Sequence, residues 1–161
     1  MLRAVKTPTR GIGDKAVTEF REYCTEIEAF YRENFPETKR PTRLDIVISM
    51  TDGENGSAYT LADGAPEASV FISKRALNNF LPFSRQMRTI RTKAHKLPVD
   101  ALLFFIIEEL DLAAHFNAIS KSKSEFEERR ENVQELRQAT KRYATYGPAL
   151  ELLNTGQDEF E

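Results

Sequence analysis

Tryptophan is absent from this chain of 161 residues, cysteine occurs once and histidine twice. A lone Cys24 cannot close an internal disulfide or build a cysteine-based zinc cluster, which excludes a disulfide scaffold and a zinc finger. With only His95 and His115, a histidine-rich catalytic zinc site is excluded as well. There is no Gly-rich phosphate loop ending in Lys-Ser or Lys-Thr, no Gly-x-Gly-x-x-Gly after a strand and no Gly-x-Ser-x-Gly elbow. Nor is there a long apolar run. The longest, Ala101 to Ile107, falls far short of the ~20 residues that cross a bilayer, and Met1-Leu2-Arg3-Ala4-Val5-Lys6 lacks the apolar core and cleavage site of a secretory signal. These absences predict a cytoplasmic chain with no membrane role.

What remains is globular in composition: 40% apolar, 30% charged, net charge −2. A chain of this length buries about two-thirds of its unfolded surface, so it folds without a metal or disulfide staple. One domain over 14–153 is expected, preceded by an irregular 1–13 and followed by an acidic, frayed 154–161. The near-neutral total conceals a partition. Residues 44–73 carry five acidic side chains and no basic one, whereas 74–99 carry seven basic and no acidic.

Apolar periodicity supplies the elements. Val17, Phe20, Cys24, Ile27 and Tyr31 recur at helical spacing after Asp14, predicting a first helix with Cys24 on its buried stripe. Leu44, Ile46, Ile48 and Met50 alternate with Asp45, Val47 and Ser49, the period of a strand. Turn residues over Thr51–Gly56 and Asp63–Pro66 then separate two further strands, Ser57–Leu61 and Ala68–Ser73, giving a small antiparallel meander. Beyond it, a short helical piece is expected around Ala76–Leu81, broken at Pro82, and a second over Ser84–Ala94. Pro98 opens an apolar helix over Val99 to about Ile119. Being apolar on most sides, it is predicted to be the central, covered helix. Ser124 and Glu127 have capping-box spacing for a last long helix reaching about Thr145. The expected architecture is therefore α+β, in the order α-β-β-β-α-α, with a three-stranded antiparallel meander packed on a central apolar helix.

Within that apolar helix, Glu108, Asp111 and His115 share an arc of about 60°. A carboxylate and an imidazole four residues apart can reach one metal ion, and charges on a buried helix must be paired or ligated. The bland alternative is a polar cluster in which His115 bonds Asp111 or a carbonyl and the glutamates meet Arg or Lys. The segment Phe104-Phe105-Ile106-Ile107-Glu108-Glu109-Leu110-Asp111-Leu112, with the expected element order around it, resembles the core of zincin metallopeptidases. In that frame Glu109 matches the family's catalytic Glu, while Glu108 and Leu112 stand where the two histidines of His-Glu-x-x-His belong. The resemblance implies a degenerate, inactive homologue without the zinc motif. A metal-dependent hydrolase built atypically from Glu108, Asp111 and His115, with zinc or another divalent cation and a further carboxylate among Glu127, Glu128 and Glu131, is the enzymatic alternative.

The basic segment 74–96 is the other candidate. Lys74, Arg75, Arg85, Arg88, Arg91, Lys93 and Lys96 offer positive charge, and Phe80 and Phe83 lie among them. Phosphate contact with base stacking is one use of such residues. An acidic protein partner is another and, with a chain pI of about 5.8, the preferred one over nucleic acid. The residues thus point to a non-catalytic interaction or regulatory protein that binds a macromolecule through 74–96, with no catalytic residues and no cofactor assigned and no oligomeric state specified.

Overall fold

A computed structural model describes residues 11–51 and 61–143. Among these residues there are seven helices and no strand: α1 Asp14–Asn34, α2 Arg43–Ser49, α3 Ala68–Phe71, α4 Lys74–Ala94, α5 Val99–Glu109, α6 Leu112–Ile119 and α7 Lys123–Lys141. The α+β expectation is thereby corrected. The first expected strand is helix α2 and the third is helix α3 followed by an extended Ile72. The second, Ser57–Leu61, lies outside the described residues except for Leu61, as do most of its preceding turn and the expected stretch beyond Tyr143.

The chain divides into two compact units, Met1–Arg88 and Thr89–Glu161, where composition alone gives a single domain over 14–153. In the first unit α1 runs as its periodicity predicts. Ala16, Val17, Phe20, Tyr23, Cys24, Ile27 and Tyr31 are buried along one stripe. Their partners are Ile46 and Val47 of α2, Ile72, and Ala76, Phe80 and Phe83 of α4. Phe20 and Phe80 meet ring to ring at 5.2 Å, and each fully buried side chain of this size contributes about 1.5–3 kcal/mol over an exposed one. The core therefore lies between α1, α2 and α4, not around the apolar segment beyond Pro98.

Local chemistry explains why α2 is a helix despite its β-branched run. Thr42 and Asp45 form a capping box: the Asp45 amide donates to Thr42 Oγ1 at 3.3 Å, and the Thr42 amide donates to Asp45 Oδ2 at 2.7 Å. At the other end, a helix of seven residues leaves its last carbonyls without intrahelical donors. The Met50 and Thr51 amides reach the Val47 and Ile48 carbonyls at 3.3 Å each, and side chains add shorter bonds. Ser84 Oγ donates to the Val47 carbonyl at 2.6 Å, Arg88 Nη2 donates to the Ile48 carbonyl at 3.0 Å, and Thr51 Oγ1 lies 3.1 Å from both Ile48 O and Ser84 Oγ. A guanidinium at this end also opposes the negative pole of the helix.

Helix α4 passes through Pro82, where a break was expected. Proline removes one backbone donor and crowds the carbonyl four residues back, but Pro82 and Asn78 are both exposed, which places the interruption on the solvent side of the helix. Phe80 and Phe83, both 0% exposed, anchor the helix on either side. Its N-terminus is held by Glu19, whose Oε2 accepts from the Ser73 amide at 3.0 Å and the Ser73 hydroxyl at 2.9 Å. Those bonds hold the Glu19 carboxyl below its usual pKa, with Lys15 adding a smaller effect against desolvation.

In the second unit α5 and α6 both pack on α7 and on each other. The expected single helix over 99–119 is interrupted at Leu110–Asp111. Asp111 adopts the left-handed conformation, φ 46° and ψ 50°, a region that Asp tolerates better than most side chains. From there its carboxylate caps α6, accepting from the Ala114 amide at 3.3 Å. Helix α7 starts two residues before the expected capping box: Ser122 Oγ accepts from the Glu125 amide at 3.2 Å. No described residue of this unit is buried, so α5 is not the covered central helix its composition predicts.

Candidate binding site

Helices α5, α6 and α7 of the second unit line a half-open cavity of about 430 Å³. Phe104, Ile107, Ala113, Phe116 and Val133 give it apolar walls, and Glu108, Asp111, Arg130, Gln134 and Arg137 give it polar ones. The break at Leu110–Asp111 creates this arrangement. Ending α5 at Glu109 and restarting at Leu112 re-aims the chain, so that residues of both helices line one concavity with the inner face of α7.

The charged groups on the lining differ in how they are occupied. Arg130 pairs with Glu127 at 3.1 Å on α7 itself, and Asp111 serves as the cap of α6. Arg137 lies over the Phe104 ring, 4.6 Å from its centroid, and none of the carboxylates among the described residues pairs with it. Glu108, one turn along α5 from Phe104, is exposed. Outside the cavity, Glu125 accepts from the Lys121 amide at 2.8 Å and from Arg129 at 2.7 Å. Those bonds, the backbone one foremost, hold its carboxyl below the usual range.

Of the three residues proposed from sequence as metal ligands, Glu108 and Asp111 meet in the cavity and His115 does not line it. His115 lies against Phe116 instead, with ring centroids 6.1 Å apart. Among the described residues no group of three His, Cys, Asp or Glu side chains is placed to hold a metal ion. The helix break also separates Phe104–Glu109 from Leu112, so the segment that resembles the zincin helix is not one helix. Cys24 is 2% exposed, and burial pushes its thiol up to about 12. It packs in the core as a small hydrophobe.

The basic segment is divided between the two units. In the first, Lys74, Arg75 and Arg85 are exposed, while Arg88 is half-buried against α2. Phe80 and Phe83, which base stacking would require at the surface, are fully buried. In the second, Arg91 is half-buried, Lys93 and Lys96 are exposed, and the Lys93 ammonium lies 5.6 Å from the Phe105 ring centroid. The cavity itself was missed by sequence reasoning. Its signal was available in Arg130, Val133, Gln134 and Arg137, which share one side of α7 at helical spacing.

No helix among the described residues is long and apolar enough to cross a membrane. No family model matches the chain, and no curated protein or solved structure matches it.

Proposed function

We propose that the chain is a non-catalytic interaction protein whose second unit docks a protein partner bearing apolar and acidic side chains. The observation that carries this reading is the condition of α5. It is the most apolar stretch of the chain, yet none of its residues is buried. An apolar helix normally has its surface covered, and exposed apolar groups rimmed by charge mark interaction sites. Phe104, Ile119 and Leu136 in the same unit are 40%, 44% and 52% exposed. Lys93 adds positive charge beside Phe105 and Lys96 is exposed three residues on, which favours acidic side chains on the partner. The burial of Phe80 and Phe83 favours a protein over a nucleic acid as the ligand of the basic segment.

The reading is tested with a photo-crosslinking amino acid placed at Leu136, at Lys96, or at the exposed Glu22 of α1 as a control. The same discrete protein adduct is expected from the first two positions and not from the third, and it should disappear when Lys93 and Lys96 are both changed to Glu. Identical adduct patterns from all three positions, or adducts to nucleic acid alone, would overturn it.

A further inference from the structure

We infer that residues 144–161 of the chain itself occupy the docking face of the second unit in competition with the partner, a regulation that rests on the docking reading above. The face calls for apolar and acidic side chains together. Phe104 and Phe105 each hold a cation against the ring, Arg137 at 4.6 Å and Lys93 at 5.6 Å, and a guanidinium stacked on a ring keeps its N–H edge for a carboxylate. Leu136 and Tyr143 are exposed in the same unit. Segment 144–161, which lies outside the described residues, carries the complementary chemistry. It holds Glu151, Asp158, Glu159 and Glu161 without one Lys, Arg or His, and Leu150, Leu152, Leu153 and Phe160 stand beside those acids. Its four acids exceed the net charge of −2, so the rest of the chain is net positive.

Covalent attachment favours this occupant over a foreign one. The segment follows α7, whose last turns lie beside α5, since Arg137 rests on Phe104. From Tyr143 to Leu150 an extended chain reaches up to about 23 Å, and Gly147-Pro148 is a turn signal at which it can double back. A tether of this length holds the segment at an effective concentration on the order of 1 mM. An intrinsic dissociation constant on the order of 0.1 mM then fills the face about nine-tenths of the time, and a separate partner binds about tenfold more weakly than to an empty face.

Amide hydrogen exchange of the full chain, with no partner present, reads the occupancy. Leu150→Ser, Leu152→Ser and Leu153→Ser made together should speed exchange of α5 and α6 about tenfold and leave α1 unchanged. Reversing the acids, with Glu151→Lys, Asp158→Lys, Glu159→Lys and Glu161→Lys, should do the same. A synthetic peptide of residues 144–161, added at about 1 mM to the triple variant, should restore the slower rate, which a simple loss of folding would not permit. The protein adduct formed from a photo-crosslinking residue at Lys96 should rise about tenfold in the triple variant at limiting partner. Unchanged exchange in either variant, or an acceleration that the peptide does not reverse, would overturn the inference, and the docking reading would stand if the Lys96 adduct persists. Peptide-reversible exchange without any adduct would uphold the contact and remove the docking reading.

Discussion

At Ser84 one hydroxyl serves two helices, donating from α4 to the Val47 carbonyl of α2 at 2.6 Å from a side chain that is 0% exposed. Replacing it with Ala removes a buried donor and leaves the Val47 carbonyl with only the longer bond from the Met50 amide at 3.3 Å, so Ser84→Ala should cost about 0.5–1.5 kcal/mol in urea unfolding followed on the first unit. A loss below a few tenths would show that Thr51 takes over the bond. Cys24 gives a pH-dependent counterpart. Burial raises its thiol from an ordinary 9.0 to about 12, and Tyr23, next along the same buried stripe, is also raised to about 12. Between those values the unfolded chain releases protons that the native one retains. The stabilisation is thus complete below pH 9 and is lost as pH rises towards 12. Each such group steepens the fall by up to about 1.4 kcal/mol per pH unit. Cys24→Ala should flatten the decline by one proton, measured as unfolding midpoint against pH from 8 to 11, and an unchanged slope would contradict the assignment. Cys24 was legible because a single thiol on a stripe of large apolar residues has one physical role available. His115 was not: on a continuous helix it shares a face with Glu108 and Asp111, and the left-handed Asp111 redirects everything after it.

Among the elements, α2 and α4 depart from their sequence patterns for opposite reasons. Leu44, Ile46, Ile48 and Met50 alternate with Asp45, Val47 and Ser49 too briefly to separate period two from burial on every side, and the β-branched Ile46, Val47 and Ile48 are all 0% exposed. The deciding signal was Thr42 with Asp45, three residues apart just after Pro41, a helix start written into the sequence. In α4 the helix-breaking preference of Pro82 is outweighed by its surroundings. Its lost hydrogen bond faces water while Phe80 and Phe83 bind the core, so tertiary packing overrides the local preference. Pro82→Ala restores the donor and removes the ring clash without touching a buried contact. It should stabilise the first unit by about 1–3 kcal/mol, read as a higher urea midpoint at unchanged slope. A neutral or destabilising result would mean that α4 is bent at Pro82 and that the core depends on the bend. By contrast, α1 was legible throughout, because its 3-4 spacing continues over 21 residues and averages out local ambiguity.

For the whole molecule, the composition offers a charge partition and one dominant apolar run, and such a run predicts the centre of the fold. Hydrophobicity alone does not say whether the chain covers its own apolar surface or leaves it for a partner. Here the first unit has a closed core, and the second has none among its described residues. Helices of 11 and 8 residues, α5 and α6, are too short to persist in water on intrinsic propensity, and without burial little else holds them. Native-state hydrogen exchange should therefore separate the two units. The amides of α1 and of α4 up to Arg88 should exchange only through global unfolding, in step with the urea-derived stability. Those of α5 and α6 should open locally and exchange at least about a hundredfold faster, since a closed core and a half-covered bundle differ by several kcal/mol of opening free energy. Occupation of the second unit by a protein partner should slow α5–α7 selectively and leave α1 unchanged, because binding stabilises only the state it recognises. Equal protection in both units without any ligand would show that α5 is already covered in solution. In that case the exposed apolar surface would no longer support a docking role.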